Sequence, residues 1–163
     1  MESIKHNVKV AQRYVVECIR KGKVVWTEEF DNLVVTAGRN KYLDATIKTG
    51  LTGPAWYVGL KGTGTPAAAD TMASHATWAE INPYTGNRPA FTAGTIASGS
   101  VDNSAAKASY TITADLTVYG AFMADTATGA TGTLLGAGDF AASRAVLTGD
   151  TLNVQITCSI TAT

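Results

Sequence analysis

Thr151-Leu152-Asn153-Val154-Gln155-Ile156-Thr157-Cys158-Ser159-Ile160 decides the fold class. Leu152, Val154, Ile156, Cys158 and Ile160 share one parity and mostly polar residues the other, the period-two signature of a strand with one buried face. A one-residue slip would turn that whole apolar set to water, so the strand is expected to be central or well paired.

Working outward, residues 7–20 show the same alternation, with Val8, Val10, Tyr14, Val16 and Cys18 opposed to Lys9, Arg13 and Glu17. Lys21-Gly22-Lys23 lets the chain reverse, and residues 24–30 resume β-branched and aromatic content around Trp26 and Phe30, which predicts a β-hairpin. Thr36 is placed as the N-cap of a helix over 37–48, whose narrow apolar face, Leu43 and Ile47, should lie on a sheet. Gly50-Leu51-Thr52-Gly53-Pro54 ends it and marks the boundary between an N-terminal hairpin-plus-helix unit, 1–50, and a main body, 51–163. The first unit is expected to act as a docking arm while sharing the same core.

The body is rich in Ala, Thr and Gly, with short apolar stretches between glycine-bearing turns, the texture of an all-β sandwich or barrel. Strands are expected over 55–60, 109–119 with a restart at 120–124, 131–135, 145–147 and 151–160. Residues 67–78 are assigned a helical turn, and residues 91–108 and 126–138 long loops, where partner contacts usually sit.

Composition narrows the function. With 163 residues, 45% hydrophobic and 16% charged, the chain fits one folded domain. Its net charge of zero and pI near 6.7 supply no field for holding nucleic acid. No apolar run approaches the ~18 residues of a membrane span, and the polar start, 1–7, has no signal-peptide core, so cytoplasmic synthesis of a soluble protein is expected. Residues 1–48 carry nine Lys/Arg against six Asp/Glu, and the remainder four against seven. That split nominates Arg13, Arg20, Lys21 and Lys23, with Trp26, as partner-interface residues, although charged residues on a hairpin need no partner.

Catalytic, cofactor and metal sites are all expected to be absent. His75 lies beside Ser74 and near Asp70, but neighbours in sequence point in different directions, whereas a triad is assembled from separate segments. A structural hydrogen bond to a loop carbonyl is the reading preferred for His75. Gly62-Thr63-Gly64-Thr65 lacks the Gly-Lys-Ser/Thr of a phosphate loop and is read as a turn. Asp115, Asp125, Asp139 and Asp150 are scattered, unlike the oxygen ligands of a calcium loop. Glu28 and Glu29, adjacent on a strand, face opposite sides. Cys18 and Cys158 are read as buried thiols, with a bridge between the terminal strands as the alternative.

Asn32-Leu33-Val34-Val35-Thr36-Ala37-Gly38, Trp56-Tyr57-Val58-Gly59-Leu60, the stretch from Asp70-Thr71-Met72 to Trp78-Ala79-Glu80, Tyr84 and Arg88-Pro89-Ala90-Phe91 resemble small virion proteins of tailed bacteriophages. The resemblance spans roughly 25–160 and carries over no functional residue. It implies a jelly-roll-like antiparallel β-sandwich acting as a capsid decoration or cement protein, with the major capsid protein as partner and the capsid surface as location. Self-association as a dimer or trimer is compatible with it. Two alternatives remain open. One is a tail-fibre or head-tail adaptor component, including one that binds host glycans on its aromatic residues and loops. The other is a small glycan or cell-wall hydrolase using Glu80 or His75.

Overall fold

The structure is a computed structural model describing residues 8–48 and 53–162, so the polar start, 1–7, and the 50–52 part of the expected boundary lie outside the described residues. β1 (Val8–Arg20) and β2 (Lys23–Asp31) form the expected hairpin. Its turn residues Lys21 (φ 51°) and Gly22 (φ 76°) both take the left-handed conformation that matches the twist of paired strands. There follow β3 (Leu33–Val34), α1 (Thr36–Leu43) with a π-helical continuation over Asp44–Lys48, β4 (Tyr57–Lys61), β5 (Glu80–Ile81), β6 (Ser100–Asp102) and β7 (Ala108–Thr111). Three long strands close the chain: β8 (Leu116–Ala124), β9 (Leu134–Val146) and β10 (Thr151–Ala162).

These make an antiparallel β-sandwich. One five-stranded sheet runs β2-β1-β10-β6, with β7 also on β10; the other runs β3-β9-β8-β4-β5. β10 is central, as its alternation predicts, and pairs with β1 from Val8↔Ala162 to Ile19↔Thr151. The register sets Tyr14 opposite Ile156 and Cys18 opposite Leu152, all buried. They meet Val58, Leu60, Val118 and Met123 of the second sheet in the main core. On its other edge β10 pairs with β7 at Thr151–Val154 and with β6 at Thr157–Ser159. Asn103 spans the gap: its Oδ1 accepts from Ile156 N at 2.7 Å and its Nδ2 donates to Val154 O at 3.2 Å, so a side-chain amide replaces a missing strand.

A second, smaller core lies on the outer face of the second sheet. Phe122, Ala124, Leu134 and Ala137 are covered there by Met72 and Trp78. The covering segment, 62–79, is an irregular cap and not the helical turn expected over 67–78. Asp70 organises it, accepting from Ala67 N and from Trp78 Nε1, both at 2.8 Å.

Four further expectations are corrected. The strand expected over 109–119 is two: β7 belongs to the first sheet and β8 to the second, and the chain crosses between them around Ala114, leaving Ala114 and Leu116 exposed. Conversely, residues 134–135 and 145–146 of two expected strands belong to one long β9, whose glycines had suggested a loop, while residues 131–133 and Leu147 lie outside it. Those glycines are packing positions, since a Cβ on Gly138 would lie 2.8 Å from the Phe30 ring and one on Gly136 2.5 Å from Asn32 Nδ2. In α1, Val35 is the N-cap and no side chain caps the helix, Thr36 being already inside it. The helix docks through Gly38, where a Cβ would sit 2.1 Å from Leu135 O. Leu43 and Ile47, expected to face a sheet, are 61% and 79% exposed.

β1 is as much core as β10. Tyr14, Val16 and Cys18 have no exposed surface, so the hairpin contributes to the sandwich core. No bridge forms, Cys18 and Cys158 both being free thiols.

Candidate functional site

The outward turn of Leu43 and Ile47 contributes to an exposed apolar surface. At the same end of the sandwich β10 leaves its register with β6 and presents Ile160, and the preceding loop presents Ile96; the two are 47% and 75% exposed. Together with Tyr42, Val101 and Cys158 they line a groove of about 260 Å³. Leu43 and Ile47 form an adjoining shelf with Asn40 and Lys48. Val8, paired with Ala162, extends the apolar surface along the same ladder. Solitary exposed aliphatic residues are ordinary, but a cluster beside a recess marks a contact surface.

The polar atoms at the groove are kept neutral. Burial raises the Tyr42 hydroxyl to about 12 and also pushes the Cys158 thiol up. A protonated thiol is a poor nucleophile, so Cys158 contributes apolar surface. Cys18 is likewise raised to about 12, by burial and then by its contact with Asp150.

The basic residues nominated from sequence are of two kinds, those held in ion pairs and those exposed at the hairpin tip. Arg13 reaches Glu29 at 2.6 Å and Asp31 at 3.5 Å along the exposed face of the hairpin. Arg20 holds Asp150 through Nε and Nη2 at 2.8 and 2.7 Å, pinning the hairpin end to the β9–β10 turn. Asp150 also accepts from Leu147 N at 2.9 Å, and Arg20 chiefly lowers its carboxyl to about 2. Lys21 and Lys23 are exposed at the hairpin tip. Trp26 is half-buried: its Nε1 donates to Ala145 O at 3.3 Å and its ring lies 6.0 Å from that of Phe140, so it ties β2 to β9. The structure thus sets Arg20 opposite Lys23 at the hairpin end, beside Lys21, and gives Arg13 and Trp26 internal partners.

The catalytic candidates are similarly engaged. His75 Nδ1 lies 2.9 Å from Trp78 O and its ring stacks on Trp78 at 4.0 Å, the structural hydrogen bond expected of it; Asp70 is taken by Trp78. Glu28 and Glu29 do face opposite sides, Glu28 being buried against Arg144 at 2.6 Å while Glu29 meets Arg13. Glu80 is held by both Nε and Nη2 of Arg88. No group of three or more metal-ligating side chains occurs among the described residues.

Sequence reasoning read residues 62–65 as a turn but missed Lys61 and its contact with Asp139. Lys61 has no exposed surface, and its Nζ donates to Gly62 O at 3.0 Å and to Gly64 O, and contacts Asp139 Oδ1 at 2.5 Å. The Gly62-Thr63-Gly64-Thr65 turn is therefore a cradle for a buried ammonium, with Gly64 at φ 95° and a Cβ there 1.7 Å from Thr77 O. A lysine at the end of an apolar strand run was the available signal.

No curated protein matches the chain. The family model described as podophage GP4 fiber I protein gp80 matches residues 34–162, from β3 to the end of β10. That span takes in the whole second sheet, the apolar groove and the Lys61 cradle. The chain belongs to that family and is a virion structural protein of a tailed phage.

Proposed function

We propose that the chain is a non-enzymatic component of the phage tail fibre, and that it joins its neighbours through the apolar end built by Leu43, Ile47, Ile96 and Ile160. The observation that carries this is the family match to a fibre protein across residues 34–162. The exposed aliphatic cluster supports it, because fibre parts are held by contacts between folded modules and buried apolar area is the main source of such affinity. The reading as a capsid cement protein draws on sequence resemblance alone, and no feature of the sandwich selects a capsid partner. A purely structural role agrees with the internal engagement of His75, Glu28, Glu80 and Asp150.

The test is location and stoichiometry in purified particles. Gold-labelled antibody against the chain should decorate the tail, with far fewer copies per particle than the major capsid protein. Label spread over the head, at a copy number comparable to that protein, would establish the cement role instead.

A further inference from the structure

Across the second sheet one row of cross-strand partners reads Glu80, Lys61, Gly120, Asp139, on β5, β4, β8 and β9. Lys61 and Asp139 therefore flank the same residue of the strand between them, and that residue has no side chain. With neighbouring strands about 4.8 Å apart, their Cα atoms are separated by about 10 Å, within joint reach of an extended lysine and an aspartate. A side chain at 120 would occupy the space in which they meet, and its Cβ would lie 2.0 Å from Gly138 O.

The contact is unlike an ordinary surface ion pair. Lys61 is wholly buried, with Nζ 5.9 Å from the Trp78 ring centre and two of its hydrogens directed to the Gly62 and Gly64 carbonyls. Asp139 is 35% exposed, yet its Oδ1, 2.5 Å from Nζ, is buried and makes no hydrogen bond of proper geometry. The carboxylate thus presents one buried oxygen to the amine while the rest of the group reaches solvent.

The geometry points to an intramolecular isopeptide bond between Lys61 Nζ and Asp139 Cγ, a covalent strap across β4, β8 and β9. A proton passes from the ammonium to the carboxylate, giving amine and acid. Nζ attacks Cγ and forms the N–C bond; the Cγ–Oδ2 bond breaks, and the remaining Nζ proton needed for balance leaves with Oδ2 as water on the solvent side. Ammonium plus carboxylate become amide plus water, with no oxidant, reductant or cofactor. Oδ1 stays as the buried amide carbonyl, and the amide N–H keeps one glycine carbonyl as acceptor. Holding the amine against one oxygen of the carboxyl group supplies the proximity that such a step needs. A strap of this kind would carry load between β4 and β9 without relying on the hydrogen bonds of β8.

Intact-mass spectrometry of the purified full-length chain under denaturing, reducing conditions tests this directly. The mass is expected to be lower than that of the sequence by one water, and proteolysis should yield a branched peptide joining the segments that contain Lys61 and Asp139. Lys61→Arg and Asp139→Ala chains should each show the full sequence mass. The wild-type mass decides the matter whether or not those variants fold. An unmodified wild-type mass, or a lost water with the two segments unlinked, overturns the proposal and leaves Lys61 as a buried ion-pair anchor.

Discussion

Arg88 closes its guanidinium on Glu80 in a bidentate pair, Nε to Oε1 at 2.7 Å and Nη2 to Oε2 at 2.6 Å, beneath a loop whose carbonyls it also binds. Nη1 donates to Thr126 O at 2.8 Å and Nη2 to Gly129 O at 2.7 Å, and the guanidinium lies 5.2 Å from the Phe122 ring centre. The side chain is 2% exposed and that of Glu80 21%, so removing one partner strands the other charge in poor solvent. Arg88→Ala should cost about 3 kcal/mol, the lower end for breaking a buried pair, and urea unfolding measures it. Arg13→Ala, which breaks an exposed pair with Glu29, should leave the urea midpoint unchanged. Equal losses in the two variants would show that burial does not set the strength of these pairs.

Asp150 links folding to acid. Its carboxyl is depressed from the ordinary 3.8 to about 2, first by the hydrogen bond from Arg20. A depressed carboxylate favours the folded state when ionised, so its contribution is complete above the ordinary value and fades as pH falls from about 4 towards 2. Asp102 and Asp115, lowered by Ser104 and Thr148 respectively, add slope in the same direction, so the comparison must be made against Asp150→Asn. The difference in urea midpoint between the wild type and that variant should shrink across this window. A difference independent of pH would mean that Asp150 acts only through shape.

Much of the fold was legible because its two central strands carry alternation, unbroken in β10 and broken in β1 chiefly at the buried Gln12. Legibility failed where one signal has two physical causes. Gly136 and Gly138 looked like loop residues, yet they are strand positions emptied to admit Phe30 and Asn32. The parity running from Tyr110 to Val118 is continuous in sequence while the chain changes sheets, because both halves face the same core. Leu43 and Ile47 gave the right helix spacing but no indication of side; Gly38 decided that, and a glycine in a helix reads as a weakness before it reads as a contact. The groove was invisible for this reason, and the Lys61 row because its members come from four strands whose register only the fold supplies.

Gly38 offers a test in which two effects oppose. Ala is a better helix former than Gly by about 1 kcal/mol, so Gly38→Ala would stabilise a free helix. Here the new Cβ would stand 2.1 Å from a backbone oxygen of β9, which cannot rotate away. Steric cost should win, with a net loss of about 1–3 kcal/mol and faster amide exchange across Thr36–Leu43. A raised melting temperature would show that the helix does not need this close approach.

The apolar end should separate folding from assembly. Leu43 and Ile47 bury little in the isolated chain, so replacing both with Lys should change stability by less than about 0.5 kcal/mol each. The same double variant should be lost from particles when supplied in place of the wild type, as read by mass spectrometry of purified virions. Full incorporation would remove this end from the list of contact surfaces.

The hairpin poses the sharpest contrast between a sequence view and a structural one. Its basic residues suggested a docking arm, and the family match begins only at Val34. Yet β1 lies between β2 and β10, pairs with β10 over twelve positions, and inserts Tyr14, Val16 and Cys18 into the core without exposed surface. Deleting residues 1–31 would leave one edge of β10 unpaired, uncover Ile156, Val154 and Leu152, and remove Phe30 from Phe140, whose ring centres are 5.3 Å apart. Unpaired strand edges with an apolar face aggregate. The truncated chain should therefore be insoluble, or soluble without a cooperative thermal transition. A soluble product with native-like near-ultraviolet circular dichroism would mean that the sandwich closes without β1, and that the hairpin is a separable arm after all.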